Sequence, residues 1–319
     1  MARVEPEHLR NLRIGAPLNR TIAICVTGVL LLAACAGPDP SASPSHSQGT
    51  DVQPRDDDPV EAGPAKILQR KVTYAERGGE KLRFDVFRTS TPTTQPVLVV
   101  MHGGLWWRRA KKLWAPFVPR MVKAGYVVVL PDVRLSPPGG DTLFPGPVRD
   151  LSRSIAWLRR HALELGGDPR QLALIGSSSG AHLALLAAGT GAGRPDAVVV
   201  YSPSIDLADL HARNITRRGI ENHLGCVPAD CGEAYELASP LFVMDRRTPP
   251  TLLAYSRDEV MPREHGIALR DRLRSLGVVH RVIEVPGKVH GLKLAHKVLA
   301  KSLDFIERHL GRRTSEDAG

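Results

Sequence analysis

The chain predicts an α/β fold, with a mostly parallel central sheet and helices on both faces. Two observations carry this. Continuous apolar runs bounded by breakers recur at residues 96–101, 126–130, 172–175 and 197–201, as strands buried on both faces require. Segments with helical spacing stand between them, and strand–helix alternation is the pattern of a parallel sheet with crossover helices.

In chain order, residues 81–88 alternate Leu82, Phe84 and Val86 with Arg83, Asp85 and Arg88, the period-two sign of a strand with one wet face. The runs 96–101 and 126–130 follow, with a helical segment near 114–124 between them. Residues 146–162 carry Val148, Leu151, Ile155 and Leu158 at helical spacing and end near Gly166-Gly167-Asp168-Pro169. Then come the strand at 172–175, a helix over 181–188 and the strand at 197–201. Residues 251–255 and 281–285 read as two more strands around a helix near 264–276. Residues 293–310 close the domain as an amphipathic helix, with Leu294, Val298, Phe305, Ile306 and Leu310 on its apolar side. Residues 203–249 stand between two core strands, with few apolar periods, and read as a small cap insertion that sets substrate choice.

Gly176-Ser177-Ser178-Ser179-Gly180 joins the 172–175 strand to the following helix. Strand, turn of small residues and helix in that order is the setting in which G-x-S-x-G forms a nucleophile elbow. Of the three serines, only Ser178 has glycine two places away on both sides, so Ser178 is the candidate nucleophile. The bare pattern is a weak signal and needs partners elsewhere in the chain. In a parallel sheet those partners lie at the carboxyl ends of the strands. After residue 101 comes His102-Gly103-Gly104-Leu105-Trp106, whose backbone N–H groups, with that of Ser179, are the candidate oxyanion donors; such a donor contributes roughly 3 to 4 kcal/mol in other hydrolases. After residue 255 comes Ser256-Arg257-Asp258-Glu259-Val260, and after 285 comes Pro286-Gly287-Lys288-Val289-His290-Gly291.

A serine hydroxyl is a poor nucleophile unless a base takes its proton. His290 fits that base, with Asp258 holding its tautomer. Glu259 and Asp206 compete with Asp258, which is preferred because it leads its loop. His280 and His296 read as surface histidines. His102 reads as an organiser of the glycine loop and His182 as structural. Trp106, Trp107 and Phe144 are candidate substrate-pocket residues, and Trp114 reads equally well as pocket or core. No cofactor is implied and no metal-ligating pattern stands out.

The ends have another character. Residues 1–20 carry Arg3, Arg10, Arg13 and Arg20 against Glu5 and Glu7, followed by an apolar stretch over 22–34 that ends Leu32-Ala33-Ala34-Cys35. A basic segment, a short apolar core and small residues form the layout of a secretory signal. The ending resembles a bacterial lipobox, which makes Cys35 the expected lipidation site and residues 1–34 a removable signal peptide. The alternative is a retained anchor, although the apolar core is short of the roughly 20 residues a spanning helix needs. Residues 35–65, rich in Pro, Ser and Asp, read as a disordered tether, 66–311 as the folded domain and 312–319 as a tail. The expected location is therefore outside the cytoplasm, on a lipid anchor in the cell envelope. In an exported chain Cys226 and Cys231, close together in sequence, most simply form a disulfide; nearby His223 also permits a metal reading, without a fourth ligand in sight.

The formal charge of +10 is spread along the chain apart from short clusters such as Arg108-Arg109-Ala110-Lys111-Lys112. These clusters have neither interleaved aromatics nor a recognisable module, so no nucleic-acid partner is expected. Attraction to anionic headgroups or acidic glycans is the more modest inference.

From about residue 70 to 311 the chain resembles the α/β-hydrolase esterase/lipase family, near the bacterial feruloyl esterase-like and hormone-sensitive-lipase-like carboxylesterases. The resemblance rests on the His102 to Trp106 segment, Pro131-Asp132-Val133-Arg134-Leu135-Ser136-Pro137, the Gly176 to Gly180 elbow, Asp258-Glu259-Val260-Met261-Pro262 and Val289-His290-Gly291. It implies an α/β-hydrolase fold and cleavage of a small-molecule carboxylic ester through an acyl-enzyme, with Ser178, Asp258 and His290 as triad in the family's order. It also implies Gly103, Gly104, Leu105 and Ser179 around the oxyanion, and a buried brace involving Asp132 and Arg134. Leu105 stands where the family often has a third glycine, so its side chain is expected to narrow the pocket. The His-Gly-Gly-x-Trp form is also similar to arylformamidases, which keeps amide cleavage open as an alternative, and a hydrolase-fold binding protein without activity is a further one.

Overall fold

The computed structural model describes residues 66–190, 194–209 and 214–310. The expected signal peptide, Cys35, the tether and the tail lie outside these residues. Among the described residues no helix is long and apolar enough to cross a membrane.

The chain runs through β1 (Ile67–Arg77), β2 (Glu80–Thr89), β3 (Gln95–Met101), α1 (Val118–Lys123), β4 (Val127–Pro131), α2 (Gly146–His161), β5 (Gly167–Ser177), α3 (Ser179–Thr190) and β6 (Ala197–Tyr201). It continues with α4 (Asn214–Leu224), α5 (Pro228–Ala238), α6 (Pro240–Val243), β7 (Thr251–Ser256), α7 (Arg263–Ser275), β8 (His280–Val285) and α8 (Ala295–His309). The strands form one sheet in the order β1-β2-β4-β3-β5-β6-β7-β8. β1 pairs with β2 and β2 with β4 antiparallel; every other pairing is parallel. This is the α/β-hydrolase architecture expected from the sequence. β1 is an addition to it: half-wet and rich in charge, it has none of the continuous apolar character that marks the inner strands.

The inner strands are apolar at every position because the pleat sends alternate residues into two different layers. Val97, Val99, Leu172, Leu174, Val198 and Val200 face one layer, where α2, α3 and α7 pack. Leu98, Val100, Ala173, Ile175, Val199 and Tyr201 face the other, against α1 and α8. Each fully buried aliphatic side chain contributes about 1.5–3 kcal/mol. An inward charge on one of these strands therefore disrupts one layer or the other.

Strand order reverses around β3, which lies between β4 and β5. Ligands bind at such a reversal, beyond the carboxyl ends of the strands. The register Met101↔Gly176 and Ser177↔Tyr201 brings the three strand ends level. The loop after β3 therefore meets the β5–α3 turn side by side. Between β6 and β7, the insertion expected to carry few apolar periods is largely helical: α4, α5 and α6 occupy it. A disulfide joins Cys226 to Cys231 across the α4–α5 connection. Cys231 departs from helical backbone, with φ −145°, inside α5.

Candidate active site

Ser178 sits at the tip of the β5–α3 turn with φ +54°, left-handed backbone that a residue bearing a Cβ adopts only under constraint. The constraint is visible. Its N–H donates to the carbonyl of Tyr201 at 2.8 Å, and its own carbonyl accepts from Ala181 and His182 at 2.8 and 3.1 Å. A Cβ on Gly180 would overlap the His102 carbonyl, and one on Gly176 would overlap the Gly180 carbonyl. The flanking glycines are thus required by close backbone approach, and they leave Ser178 partly accessible while Ser177 and Ser179 are buried.

Ser178 Oγ lies 3.0 Å from Nε2 of His290. On the other side of that ring, Nδ1 donates to Glu259 Oε2 in a short hydrogen bond. Glu259, not Asp258, is the partner of His290. Asp258 is exposed, and its N–H is tied to the Gly287 carbonyl at 3.1 Å, on the wet side of the β7 loop. One residue further on, the Glu259 side chain turns inward and is 1% exposed. Its Oε1 accepts from the Ser256 N–H and from the Ser202 hydroxyl, both at 2.9 Å. Buried carboxylate oxygens need such donors because burial takes away their water.

Ser202, at φ +51° just beyond β6, does a second job: its Oγ accepts from the N–H of Gly291 at 2.9 Å. One hydroxyl thus joins the acid to the residue that follows the histidine. Sequence reading missed this residue because a serine before a proline at a strand end carries no distinguishing pattern.

The glycine loop turns through three left-handed residues, Gly104 (φ +130°), Leu105 (φ +56°) and Trp106 (φ +65°). The Gly104 carbonyl accepts from Trp107 and Arg108, at 3.2 and 2.9 Å, which closes the loop on itself. The N–H groups of Gly104 and Leu105 have no partner among the described residues. Ser179 opens α3, where the first amides of a helix lack intrahelical acceptors. Gly103 approaches the elbow so closely that a Cβ there would come within 2.7 Å of the Ser177 carbonyl. Gly103, Gly104 and Leu105 line the same cavity as Ser178, and Ser179 follows it in the chain. His102 donates from Nδ1 to the Gly103 carbonyl at 2.6 Å, and burial holds its pKa below the ordinary value, so it braces the loop as a neutral ring.

Beneath the loop, the Trp106 indole N–H donates to Nδ1 of His182 at 2.9 Å, and His182 Nε2 donates to the Ala238 carbonyl at 2.7 Å. His223 of α4 stacks on Trp106 at 5.4 Å between ring centroids. Ser136 bonds both the Trp106 carbonyl, through its N–H at 2.9 Å, and His223 Nδ1, through its hydroxyl at 3.0 Å. The brace expected from Asp132 and Arg134 is present with separate partners: Lys111 for Asp132 at 2.8 Å, and Asp150 for Arg134 in a bidentate pair at 2.8 and 2.9 Å.

A cavity of about 570 Å³ opens over Ser178, walled mainly by apolar groups of Leu105, Phe117, Ile215, Met261 and Leu292. Trp106 contributes to the wall as expected, and so does Trp114. Trp107 and Phe144 do not. The Trp107 ring instead lies under the Arg108 guanidinium, 4.4 Å from its centroid, and Phe144 packs edge-on to His223 at 5.9 Å, behind the loop. Leu105 meets α4 at Gly219, where a Cβ would come 3.2 Å from that of Leu105, so the leucine narrows the cavity from the cap side.

The BD-FAE family profile matches residues 84–273. The chain is similar to the esterases LipC (29% identity over 72% of this chain) and LipQ (28% over 78%) of Mycobacterium tuberculosis, and spans 60% and 64% of their lengths. A probable carboxylic ester hydrolase of the same organism, LipM, is 32% identical over 81% of this chain and 67% of its own length. Among solved structures, a bacterial heroin esterase superposes with a TM-score of 0.67 at 24% identity, covering 78% of this chain and 85% of its own. An acetyl ester-xyloside bifunctional hydrolase from Caldicellulosiruptor lactoaceticus superposes with a TM-score of 0.63 at 21% identity, covering 75% and 94%.

Proposed function

We propose that this chain, which belongs to the BD-FAE family, hydrolyses carboxylic esters through an acyl-enzyme formed on Ser178. The observation that carries the proposal is the continuous chain Ser178 Oγ, His290, Glu259, set beside the amides of Gly104 and Leu105, which have no partner among the described residues. His290 Nε2 takes the hydroxyl proton as Oγ attacks the ester carbonyl, and Glu259 stabilises the imidazolium that results. The tetrahedral oxyanion falls among the N–H groups of Gly103, Gly104, Leu105 and Ser179. His290 then returns its proton to the leaving alcohol, and a water, deprotonated by the same ring, releases the acid. Similarity to named esterases supports an ester substrate over an amide.

The test is labelling by a fluorophosphonate together with turnover of p-nitrophenyl butyrate. Ser178→Ala abolishes both if the proposal holds. Labelling that persists in the variant rejects it.

We propose also that the protein is exported and tethered through a lipid on Cys35, a reading supported by the basic, apolar and small-residue succession before that cysteine. A disulfide at Cys226–Cys231 suits an oxidising compartment. Cys35→Ser should move the protein from the membrane fraction to the soluble one; retention on the membrane would favour an anchor.

A further inference from the structure

Among the described residues, the walls of the cavity carry cations and no carboxylate. Among the described residues that line it are Arg108 and Lys293, while Glu259 is screened behind His290. Elsewhere on the surface some cations stand against acids: Arg170 with Asp168, Arg247 with Asp245, and Arg257 and Arg263 with Glu284. Others, such as Lys288 and Lys297, form no ion pair among the described residues, so what sets the two cavity cations apart is their place. In the basic cluster beside the cavity, Arg109 pairs with Glu80 and Lys111 with Asp85 and Asp132, while Lys112 forms no ion pair among the described residues. Arg108 and Lys293 form no ion pair among the described residues.

Their attachment points give these two charges a purpose. Arg108 is fixed through its N–H to Gly104, within the glycine loop, at 2.9 Å; Lys293 is fixed to the His290 carbonyl at 3.3 Å. Each of the two loops that must embrace a substrate thus presents one exposed cation. Between them the walls are apolar, and Leu113 and Ile215, exposed by 64% and 55%, extend that character to the mouth. A low-dielectric wall leaves the field of such cations less screened than open water does. An anionic group there gains a charge–charge attraction to both cations on top of their hydrogen bonds, which an uncharged group does not.

We infer that the site selects esters bearing an anionic group, a carboxylate or phosphate, held at the cavity mouth by Arg108 and Lys293 while the apolar part of the molecule fills the cavity. This rests on the esterase reading and narrows its substrate class. The experiment compares matched pairs differing in one charge: p-nitrophenyl butyrate against p-nitrophenyl hemiglutarate for the acyl side, and phenyl acetate against 4-acetoxybenzoate for the alcohol side. In at least one pair the anionic member should be preferred about tenfold in kcat/KM at low salt, with the preference shrinking severalfold near 1 M NaCl. In R108Q/K293Q the ratio should fall towards one. The salt series needs no variant, so the inference stays testable if the double substitution misfolds.

Preference for the neutral member in both pairs overturns the inference. An anionic preference that survives R108Q/K293Q overturns the assignment to these residues. Absence of turnover in all four, with no fluorophosphonate labelling, would instead reject the esterase reading. Dibutyryl-phosphatidylglycerol against dibutyryl-phosphatidylcholine separates the sources of the anion: faster hydrolysis of the former assigns it to a lipid headgroup, and equal rates beside a hemiglutarate preference assign it to a soluble acid.

Discussion

The indole N–H of Trp106 donates to Nδ1 of His182 across 2.9 Å, and the opposite nitrogen of that ring donates to the Ala238 carbonyl. The two bonds fix the imidazole as the neutral tautomer protonated at Nε2. Burial pushes its pKa down from 6.5 to about 4. The unfolded chain therefore binds a proton between those limits that the folded one refuses. Stability from this group is fully present above pH 6.5 and is lost as pH falls towards 4, a loss on the order of 3 kcal/mol. Urea midpoints measured from pH 7.5 to 4.5 should fall, and His182→Gln should flatten the descent even if it lowers the starting value. Burial of His223 acts in the same direction, so some slope will remain in the variant.

Removing the donor instead of the acceptor tests the loop. Trp106→Phe keeps an aromatic ring over His223 but leaves His182 Nδ1 buried without a bond, costing about 1–3 kcal/mol. Because Trp106 anchors the glycine loop to His182, kcat should fall more than KM rises, and fluorophosphonate labelling should slow in parallel.

Glu259→Gln should lower kcat by about 10³ to 10⁴, since an amide can present its NH₂ to Nδ1 and leave the histidine in the wrong tautomer. Asp258→Asn should change kcat less than about threefold, as expected of an exposed side chain. Steady-state turnover of p-nitrophenyl butyrate by the two variants decides between the neighbours.

Ser202→Ala deletes two bonds at once and leaves Glu259 Oε1 and the Gly291 N–H each one partner short. A roughly tenfold loss of kcat with little change in KM is expected, with partial rescue by Ser202→Thr. Equal turnover by Ala and wild type would show that the remaining bonds hold the acid unaided.

Reducing Cys226–Cys231 removes a constraint that spans only five residues, so the expected loss is modest, about 2 kcal/mol. Alkylation mass spectrometry should show two added groups only after reduction, and the urea midpoint of the Cys226→Ser/Cys231→Ser variant gives the stability.

That Ser178 and His290 meet was legible in the sequence because each is marked by something local: symmetric glycines for one, a short loop after an apolar strand for the other. The inner strands were legible because burial on both faces leaves an unbroken apolar run. Asp258 and Glu259 could not be separated that way. Both are acids in the same turn, and Glu259 is the one held inward by donors from Ser202 and Ser256, the first of them on a separate loop. Aromatic residues suffer the same limit: Trp106 reaches the cavity while Trp107, next to it, turns towards Arg108. β1 escaped because its stabilisation comes from pairing with β2 along the sheet edge and leaves little apolar pattern.

Ser178 and His290 lie 112 positions apart in the chain, and the segment between them must complete β6, the cap, β7 and β8 before they meet. Parallel strand pairings of this separation form slowly, because loop-closure entropy is spent before any contact repays it. The proposed reactive pair is therefore expected to form late in folding. On renaturation, the proposed hydrolysis of p-nitrophenyl butyrate should return after secondary structure, in step with docking of the C-terminal strand.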